Sequence, residues 1–257
     1  MLIVISPAKT LDFETAALTQ TFTQSHFLKE SERLIDLLST KSPADILNLM
    51  KISPKLAELN VDRYHHWSLP FNKSNAKQAI YAFKRDVYNG LEIETFTDQQ
   101  LSYAQDHLRI LSGLYGVLRP LDLIQAYRLE MGIKLQNSRG KNLYEFWGNR
   151  ITDNINQQLT NLDSKILLNL SSIEYFKSIK TNTVKGKIVT PIFKDWKNGE
   201  YKLISFFAKK ARGAMAAWIL KNQLQTVDEL RGFNLDGYQF NAKKSGTSKL
   251  VFTRKLN

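Results

Sequence analysis

Runs and stripes of apolar residues divide the chain into predicted strands and helices. Residues 1–6 (MLIVIS) and 165–170 (KILLNL) are short continuous apolar runs, typical of buried strands. Residues 187–210 (KIVTPIFKDWKNGEYKLISFFAKK) contain two β-rich arms around Asn198-Gly199, a pair that favours a type I′ hairpin turn. GYQF (237–240) and KLVFTR (249–254) predict a closing hairpin.

Helix starts are marked by capping residues. Ser42-Pro43 and Ser53-Pro54 each offer a serine N-cap with proline at the first helical position, so residues 26–66 are predicted to be mostly helical. Thr97 and Gln100 form a capping box, and the following helix, with an apolar face from Leu101 to Leu111, is predicted to end at Gly113.

Two further helices follow from the same patterns. A core-facing helix is predicted from a stripe of apolar side chains, namely Leu143, Phe146, Trp147, Ile151, Ile155 and Leu159. SSIEYFKSIK (171–180) predicts a helix that opens directly after the strand 165–170. That junction is expected to place Ser171, Ser172 and Glu174 at a rim.

The predicted fold is a single compact α/β mixed (α+β) domain over residues 1–257, with a central mixed sheet and surrounding helices. Residues 1–257 contain no Pro/Gly/Ser-rich linker and no fixed-period repeat, and 43% hydrophobic residues suffice for a substantial core. The absence of cysteine excludes disulfides, thiolate catalysis and cysteine-held metals. No run of 18 apolar residues occurs and MLIVIS lacks a signal-peptide pattern, so we expect a cytoplasmic protein without a membrane partner.

The net charge of +12 is concentrated in the last third of the chain. Residues 1–169 hold 19 basic and 18 acidic side chains, whereas residues 170–257 hold 17 and 6. Such an uneven excess favours a polyanion-binding surface, and the alternative is a solvated basic face that maintains solubility.

Two glycines lie in RILSGLYGVLRPLD (109–122) between a predicted helix and the Arg119-Pro120 break. A helix, a glycine-containing turn and a second helix is the layout of a helix-hairpin-helix element, whose backbone N–H groups can hold a phosphate. Gly113 and Gly116 are separated by two residues where the usual hairpin has one. The alternative is a glycine C-cap followed by a tight turn.

Other charged motifs suggest an anion site. YRLEMGIKL (127–135) contains Arg128, Glu130 and Lys134, which form either an internal ion pair or phosphate and carboxylate contacts. KKARG (209–213) places three cations near a predicted helix start, where an anionic partner would offset the unfavourable helix dipole.

The chain offers little support for metal or nucleotide-cofactor chemistry. The four histidines, His26, His65, His66 and His107, show no metal-binding spacing, and no Walker or GxGxxG sequence occurs. We therefore predict no metal site and no cofactor.

Six motifs in order along the chain resemble the YaaA family of bacterial peroxide-stress proteins. They are LIVISPAKTLDF, LSGLYGVLRPLDLIQAYRLEMGIKL, LYEFW, NLSSIEYFK, ISFFAKKARGAM and GFNLDGYQF. The resemblance implies a cytosolic protein that protects cells from hydrogen peroxide, in association with less unincorporated iron and less damage to DNA and proteins. It also implies a positively charged cleft and a helix-hairpin-helix-like element that bind DNA.

The resemblance carries over to this sequence residue by residue. Gly113, Tyr115, Gly116 and Arg119 correspond to the hairpin, and the candidates for the DNA-binding cleft are Lys9, Arg128, Lys134, Lys177, Lys209, Lys210 and Arg212. Two positions depart from the family pattern: Arg85 stands where glycine is usual, and Ile173 stands where the family more often has Asn or Asp before Glu174.

Three functions follow as hypotheses. The first is a peroxide-stress protein that binds DNA independently of sequence, mainly through phosphate contacts, with no protein partner implied. The second is an enzyme acting on a phosphate-bearing small molecule or nucleic acid, with Glu130 or Glu174 as acid or base; it requires the two glutamates to converge, and we favour the non-enzymatic function. The third, direct iron sequestration, is disfavoured because only scattered carboxylates remain as ligands.

Overall fold

Strands and helices alternate along residues 1–255, the part of the chain described by the computed structural model. The strands are β1 (Leu2–Ile5), β2 (Thr10–Leu11), β3 (Lys77–Gln78), β4 (Phe83–Lys84), β5 (Leu108–Ser112), β6 (Gly116–Leu118), β7 (Leu123–Ile124), β8 (Ile166–Leu170), β9 (Lys187–Lys197), β10 (Glu200–Lys202), β11 (Gln239–Phe240) and β12 (Lys249–Arg254). The helices are α1 (Leu28–Ser39), α2 (Pro43–Met50), α3 (Pro54–His66), α4 (Ala79–Ala82), α5 (Tyr88–Leu91), α6 (Asp98–His107), α7 (Leu143–Trp147), α8 (Arg150–Asn161), α9 (Ile173–Phe176) and α10 (Ser205–Asn222). Short 3-10 turns cover Ile93–Thr95, Thr181–Thr183, Glu229–Gly232, Leu235–Gly237 and Ala242–Lys244.

An eight-stranded mixed sheet forms the centre, in the order β11-β12-β9-β8-β1-β5-β6 with β10 paired to β9. Its five inner strands are parallel, from β12 through β9, β8 and β1 to β5. Antiparallel hairpins close both edges, β5–β6 on one side and β11–β12 on the other. The predicted mixed α/β fold class is confirmed.

The parallel inner strands bring their carboxyl ends to one edge of the sheet. β1 lies in the middle and its four residues are buried. The chain continues from β1 to β5 on one side and later places β8 on the other side. Ligands of open α/β sheets bind outside the carboxyl ends of strands, where the strand order reverses in this way.

A wall formed by the last part of β9, by β10 and by the end of β12 extends beyond that edge of the sheet. Leu168 pairs with Val189, so Pro191 lies level with Leu170, the last residue of β8. β9 continues to Lys197, which at about 3.3 Å per residue is roughly 20 Å beyond that level. β10 and the end of β12 pair with this extension.

The predicted capping residues are confirmed. Ser42 and Ser53 cap α2 and α3 with proline at the first position. Thr97 caps α6, with the Gln100 N–H donating to Thr97 Oγ1 at 3.2 Å and the Thr97 N–H donating to Gln100 Oε1 at 3.0 Å. The predicted turn at Asn198-Gly199 is also present, with φ of 54° and 84°.

Three predicted boundaries were wrong. α6 ends at His107, and residues 108–112 form β5, since all five are buried and the strand pairs with β1; this pairing overrides the helical spacing of Leu108 and Leu111. The stripe from Leu143 to Leu159 is buried as predicted but is divided between α7 and α8 at Gly148, which has φ 53°. α10 begins at Ser205, so the cations of residues 209–212 lie inside this helix and not at its start.

Helices cover the sheet and one another. α10 contacts β8, β9 and α6, and α6 contacts β1 and β5. α1, α2 and α3 pack together in the first quarter of the chain. Among residues 1–255 no helix has the length and apolar character needed to cross a membrane.

Candidate functional site

A cavity of about 220 Å³ lies beyond the carboxyl ends of β1 and β8. Its walls come from five separate segments, which are residues 6–9, 86–87, 127–130 and 170–175 together with Lys209 and Arg212 of α10. It therefore occupies the position expected for a ligand site in a sheet of this topology.

Serines fix the two loops that leave β1 and β8. The Ser172 N–H donates to Ser6 Oγ at 2.9 Å, which ties the two strand ends together. Ser172 also caps α9, its Oγ accepting from the Tyr175 N–H at 3.4 Å. Of the three residues predicted at a rim, Ser172 and Glu174 line the cavity, whereas Ser171 is buried and does not.

Glu130 has two oxygens in different surroundings. Oε1 accepts from Arg128 Nη2 at 3.0 Å and Nε at 3.2 Å, and it lies 3.3 Å from Lys9 Nζ. Oε2 is buried and accepts no hydrogen bond from any residue in the range 1–255. A buried carboxylate oxygen without a donor is uncommon in folded proteins, and a catalytic role or a bound partner is among its explanations.

Glu174 is attached to the segment that carries Glu130. Its Oε1 accepts from the Gly132 N–H at 2.8 Å, and the Tyr144 hydroxyl donates to the Glu174 carbonyl at 2.9 Å. Both predicted glutamates therefore line one cavity, which is the convergence that the enzyme hypothesis requires.

Cations surround these carboxylates at the mouth of the cavity. The Lys9 side chain is 65% exposed and that of Lys209 is 44%, whereas Glu130 is 15% exposed. Lys209 Nζ lies 2.9 Å from Asp86 Oδ1. Positive charge therefore stands outside a more deeply placed carboxylate.

Arg212 differs from the other cations of the site. It is half-buried, and within residues 1–255 its guanidinium makes no salt bridge and no hydrogen bond. Burial lowers the pKa of Arg212 because removal from water disfavours the charged form. An anion in the cavity would offset that cost.

Facing glycines allow α10 to reach the site. A Cβ on Gly213 would lie 1.8 Å from the Val87 carbonyl oxygen, and one on Gly90 would lie 2.0 Å from the Lys210 carbonyl oxygen. Side chains at either position would separate α10 from α5. This close approach places Lys209 beside Asp86.

Two tyrosines form part of the apolar lining. Tyr127 and Tyr175 are buried, and burial raises the pKa of both hydroxyls above the usual value. Both therefore remain neutral at physiological pH. Tyr127 shares a 2.7 Å hydrogen bond with the Ser112 hydroxyl at the end of β5.

The Gly113–Gly116 turn joins two strands, so the predicted helix-hairpin-helix layout is replaced by helix, strand, turn and strand. Gly113, Tyr115 and Gly116 are all buried. A Cβ on Gly113 would lie 2.1 Å from the Leu129 carbonyl oxygen, and the Tyr115 ring packs edge-on against Tyr127 at 5.2 Å. The turn therefore lies behind the 127–130 wall of the cavity and supports it.

The eleven predicted binding residues fall into three groups. Lys9, Arg128, Lys209 and Arg212 line the cavity, and Gly113, Tyr115 and Gly116 lie behind its wall. The others lie elsewhere: Arg119 pairs with Asp122 at 2.8 Å, Lys210 pairs with Asp236 at 3.1 Å, Lys177 Nζ is 5.0 Å from the Tyr144 ring centroid, and Lys134 is exposed.

Sequence reasoning missed Asp86, Tyr127 and Tyr175. Ser6 lies in the loop that was predicted at the end of β1, but no role was assigned to it. Asp86 belongs to none of the motifs in the sequence. Its neighbour Arg85 stands out only because the family usually has glycine at that position. Arg85 and Asp86 adopt φ of 66° and 51°, so the left-handed backbone that a glycine would favour is present without glycine.

Comparisons with known proteins show which family and which sequences this chain is similar to. A protein family described as peroxide stress protein YaaA has a model that matches residues 1–244. The chain is 55% identical over 255 residues to a UPF0246 protein of Colwellia psychrerythraea strain 34H, covering 99% of both chains. It is 56% identical over 255 residues to a UPF0246 protein of Saccharophagus degradans strain 2-40, covering 99% of this chain and 100% of the relative. A UPF0246 protein of Aliivibrio fischeri strain ES114 is 54% identical over 254 residues, covering 99% and 98%.

Proposed function

The chain belongs to the YaaA family of peroxide stress proteins, and we propose that it serves this role in the cytoplasm by binding DNA at the basic carboxyl edge of its sheet. The resemblance drawn from its motifs is confirmed. The peroxide-stress role comes from the family. DNA as the ligand is our proposal, supported by the distribution of charge.

Arg212 is the observation that carries the proposal. A half-buried guanidinium with no anionic partner among residues 1–255 stands next to Lys209 in a cavity whose mouth is cationic. Desolvation of a cation is unfavourable unless an opposite charge compensates it. Phosphate suits a guanidinium because it can accept two parallel hydrogen bonds.

The surrounding surface extends the same charge. Lys197, Lys202 and Lys255 are exposed on the wall formed by β9, β10 and the end of β12. This wall stands above the sheet edge that holds the cavity, so a nucleic-acid backbone could follow it from the cavity mouth. Contacts of this kind are made with phosphates, so binding through them does not depend on the base sequence of the DNA.

Other predicted residues enter the proposal with different roles. Gly113, Tyr115 and Gly116 support DNA binding by holding the cavity wall. The three exposed lysines, Lys134, Lys177 and Lys210, lie outside the cavity, and we propose that they contact phosphates on the surface beyond it. Arg119 lines a different pocket with Asp122, so we propose no direct phosphate contact for it.

Salt dependence tests this proposal. If six phosphates are neutralised, the slope of log K against log salt for duplex DNA is about −5. Replacing Lys209 and Arg212 together, as Lys209→Gln and Arg212→Gln, should reduce the steepness of that slope by roughly 2, about 1 for each phosphate that is no longer neutralised. Fluorescence anisotropy between 50 and 200 mM salt gives the slopes. Over this range the affinity of a protein that neutralises six to ten phosphates falls by roughly three to five orders of magnitude.

Lys221→Gln is the matched control. Lys221 also lies on α10, but its Nζ donates to Thr95 Oγ1 and stands over the Phe96 ring, outside the cavity. The slope of log K against log salt measured with Lys221→Gln should equal that of the unaltered protein. Binding that is independent of salt, or a slope unaffected by loss of Lys209 and Arg212, would show that this edge does not bind phosphates.

The effect on cellular iron is proposed to be indirect. Within residues 1–255 no group of three or more histidine or acidic side chains is placed to hold a metal ion, and the chain has no cysteine. We therefore expect the protein not to store iron itself. Anaerobic titration with Fe(II) tests this, and stoichiometric binding at micromolar concentration would contradict it.

A second function is favoured by the convergence of Glu130 and Glu174. Two carboxylates among cations in one cavity can transfer protons to and from a phosphate-bearing substrate. We propose this enzymatic activity as the alternative to binding alone. Turnover in a panel of phosphate esters and nucleotides that disappears in Glu130→Gln would support it, and absence of turnover across the panel would argue for binding alone.

A further inference from the structure

We infer that the cavity is a site for one nucleotide unit, with its base inside and its phosphate at the cationic mouth; this inference rests on the DNA-binding function proposed above. The ligand is either an unpaired nucleotide of DNA or a free mononucleotide. Both present the same chemistry, a planar base joined through a sugar to a phosphate.

The size of the cavity fits a single base. An engineered apolar cavity of about 150 Å³ holds benzene, so a space of about 220 Å³ accommodates a ring system somewhat larger than benzene. It is far too small for a duplex, whose major groove alone is about 12 Å wide. Enzymes that act on bases place one nucleotide in a pocket of this kind.

The arrangement of charge separates a place for a base from a place for a phosphate. Glu130 is 15% exposed and lies beneath Lys9, which is 65% exposed. A phosphate would be repelled by the Glu130 carboxylate inside but attracted by the cations at the mouth. The amino group of a base can donate to a carboxylate, as the amino group of cytosine does to glutamate in DNA complexes.

The buried Oε2 of Glu130 supports a ligand that carries N–H groups. Within residues 1–255 this oxygen has no donor, whereas Oε1 already has contacts with two cations. Oε2 is covered by protein, so a ligand donor reaches it when the Glu130 carboxylate, which lines the cavity, turns about its Cγ–Cδ bond; that hydrogen bond removes the cost of the unsatisfied acceptor. The apolar lining from Leu129, Leu170 and Tyr175 suits the faces of a base.

Two exposed apolar side chains lie next to cavity-lining residues along the chain. Ile173 is 89% exposed and stands between Ser172 and Glu174, and Phe206 is 70% exposed one turn before Lys209 on α10. They are the two most exposed large hydrophobic residues in the described part of the chain. Apolar side chains of this kind insert between base steps and stabilise an unstacked conformation, which favours DNA as the source of the nucleotide.

The test uses 2-aminopurine, a fluorescent base that carries an amino group. One arm titrates 2-aminopurine deoxyribonucleoside monophosphate into the protein, and the other places 2-aminopurine opposite an abasic site in a DNA duplex. We expect saturable fluorescence changes in at least one arm, and Glu130→Gln should weaken that binding at least tenfold. Glu58→Gln, an exposed carboxylate on α3, is the control and should leave it unchanged.

Further variants identify the source of the nucleotide. If DNA supplies it, Ile173→Ala and Phe206→Ala should reduce the duplex signal at least threefold, whereas Leu18→Ala, which removes a 65% exposed leucine elsewhere, should not. If the free nucleotide is the ligand, none of the three should change its binding. Thymidine monophosphate, which lacks an amino group, should compete less well than cytidine or adenosine monophosphate.

Three results would overturn the inference. These are a lack of fluorescence change in both arms, equal binding by Glu130→Gln with its fold intact by circular dichroism, and displacement of the probe by inorganic phosphate at the same concentration as by a mononucleotide. Duplex binding with the expected salt slope alongside any of these would leave the proposed function standing and refute only the nucleotide site. Glu174→Gln, which retains an acceptor for the Gly132 N–H, provides a second variant if Glu130→Gln fails to fold.

Discussion

Gly116→Ala should destabilise the fold. Gly116 has φ 70°, and a Cβ added there would lie 2.7 Å from Cζ3 of the Trp147 ring. The ring cannot move aside easily, since Trp147 is completely buried and its Nε1 donates to the Gly113 carbonyl at 3.0 Å. The substitution therefore combines an unfavourable backbone conformation with a steric clash in the core.

The magnitude is the sum of these two effects. Left-handed backbone costs an L-residue about 1–2 kcal/mol, and an extra group in a packed core costs about 1–3 kcal/mol. The free energy of unfolding should fall by about 2–5 kcal/mol. For a chain of this size each kcal/mol lowers Tm by roughly 2–4 °C, so the expected loss is roughly 4–20 °C.

Two other glycines separate the contributions in the same thermal unfolding assay. Gly199 has φ 84° with no atom within 4 Å of an added Cβ, so Gly199→Ala reports the backbone term of about 1–2 kcal/mol alone. Gly246 has an ordinary φ and nothing within 4 Å, so Gly246→Ala should leave Tm nearly unchanged. Circular dichroism at 222 nm, the standard helix signal, would follow unfolding in all three variants.

The comparison with Gly199→Ala can refute this reasoning. If Gly116→Ala unfolds at the same temperature as Gly199→Ala, the clash with Trp147 has no energetic consequence. If it lowers DNA affinity with no loss of stability, so that the packing of the turn against the cavity wall is unchanged, the turn contacts the ligand directly. That outcome would restore the phosphate-holding role predicted from the sequence and reject the supporting role inferred from burial.

Three further predictions concern the stability of the fold. Burial lowers the pKa of His107, so as pH falls the unfolded state takes up a proton at this histidine before the folded state does. Stability should therefore decrease as pH falls below about 6.5. His107→Gln should flatten the dependence of Tm on pH between 7 and 5. Asp195→Asn leaves the buried Arg254 guanidinium without its 2.6 Å ion-pair partner and should lower the free energy of unfolding, measured in urea, by about 3–5 kcal/mol. A decrease of less than about 1 kcal/mol would contradict this. Tyr115→Phe removes the acceptor of two hydrogen bonds, from Trp67 Nε1 and the Gln125 N–H, and should cost about 1–3 kcal/mol by calorimetry.

Local signals predicted the elements whose causes are local. The capping box of Thr97 and Gln100 and the proline-preceded helices at Ser42 and Ser53 depend on residues within one turn, so each could be recognised before the fold was known. The Asn198-Gly199 turn belongs to the same class because its left-handed backbone is a property of those two residues.

The end of α6 could not be predicted in that way. Leu108 and Leu111 fit a helical stripe, and nothing adjacent to them interrupts it. The strand forms because β1, more than 100 residues earlier in the chain, presents a parallel edge to residues 108–110. The same distance explains the Gly113–Gly116 turn, whose neighbours are the Leu129 carbonyl and the Trp147 ring.

The candidate site shows how chemistry and packing depend on each other within one motif. In KKARG the cations predict an anion site, whereas the role of Gly213 has no local signal. Its lack of a side chain lets α10 meet the Val87 carbonyl, and only with that approach does Lys209 reach Asp86 and Arg212 reach the cavity. Asp86 in turn has left-handed backbone that costs an L-residue about 1–2 kcal/mol. Strained backbone persists where the surrounding structure determines it. Here it positions the Asp86 carboxylate beside the Lys209 cation at the cavity mouth. The position of the positive charge is therefore set by the packing as much as by the number of basic residues.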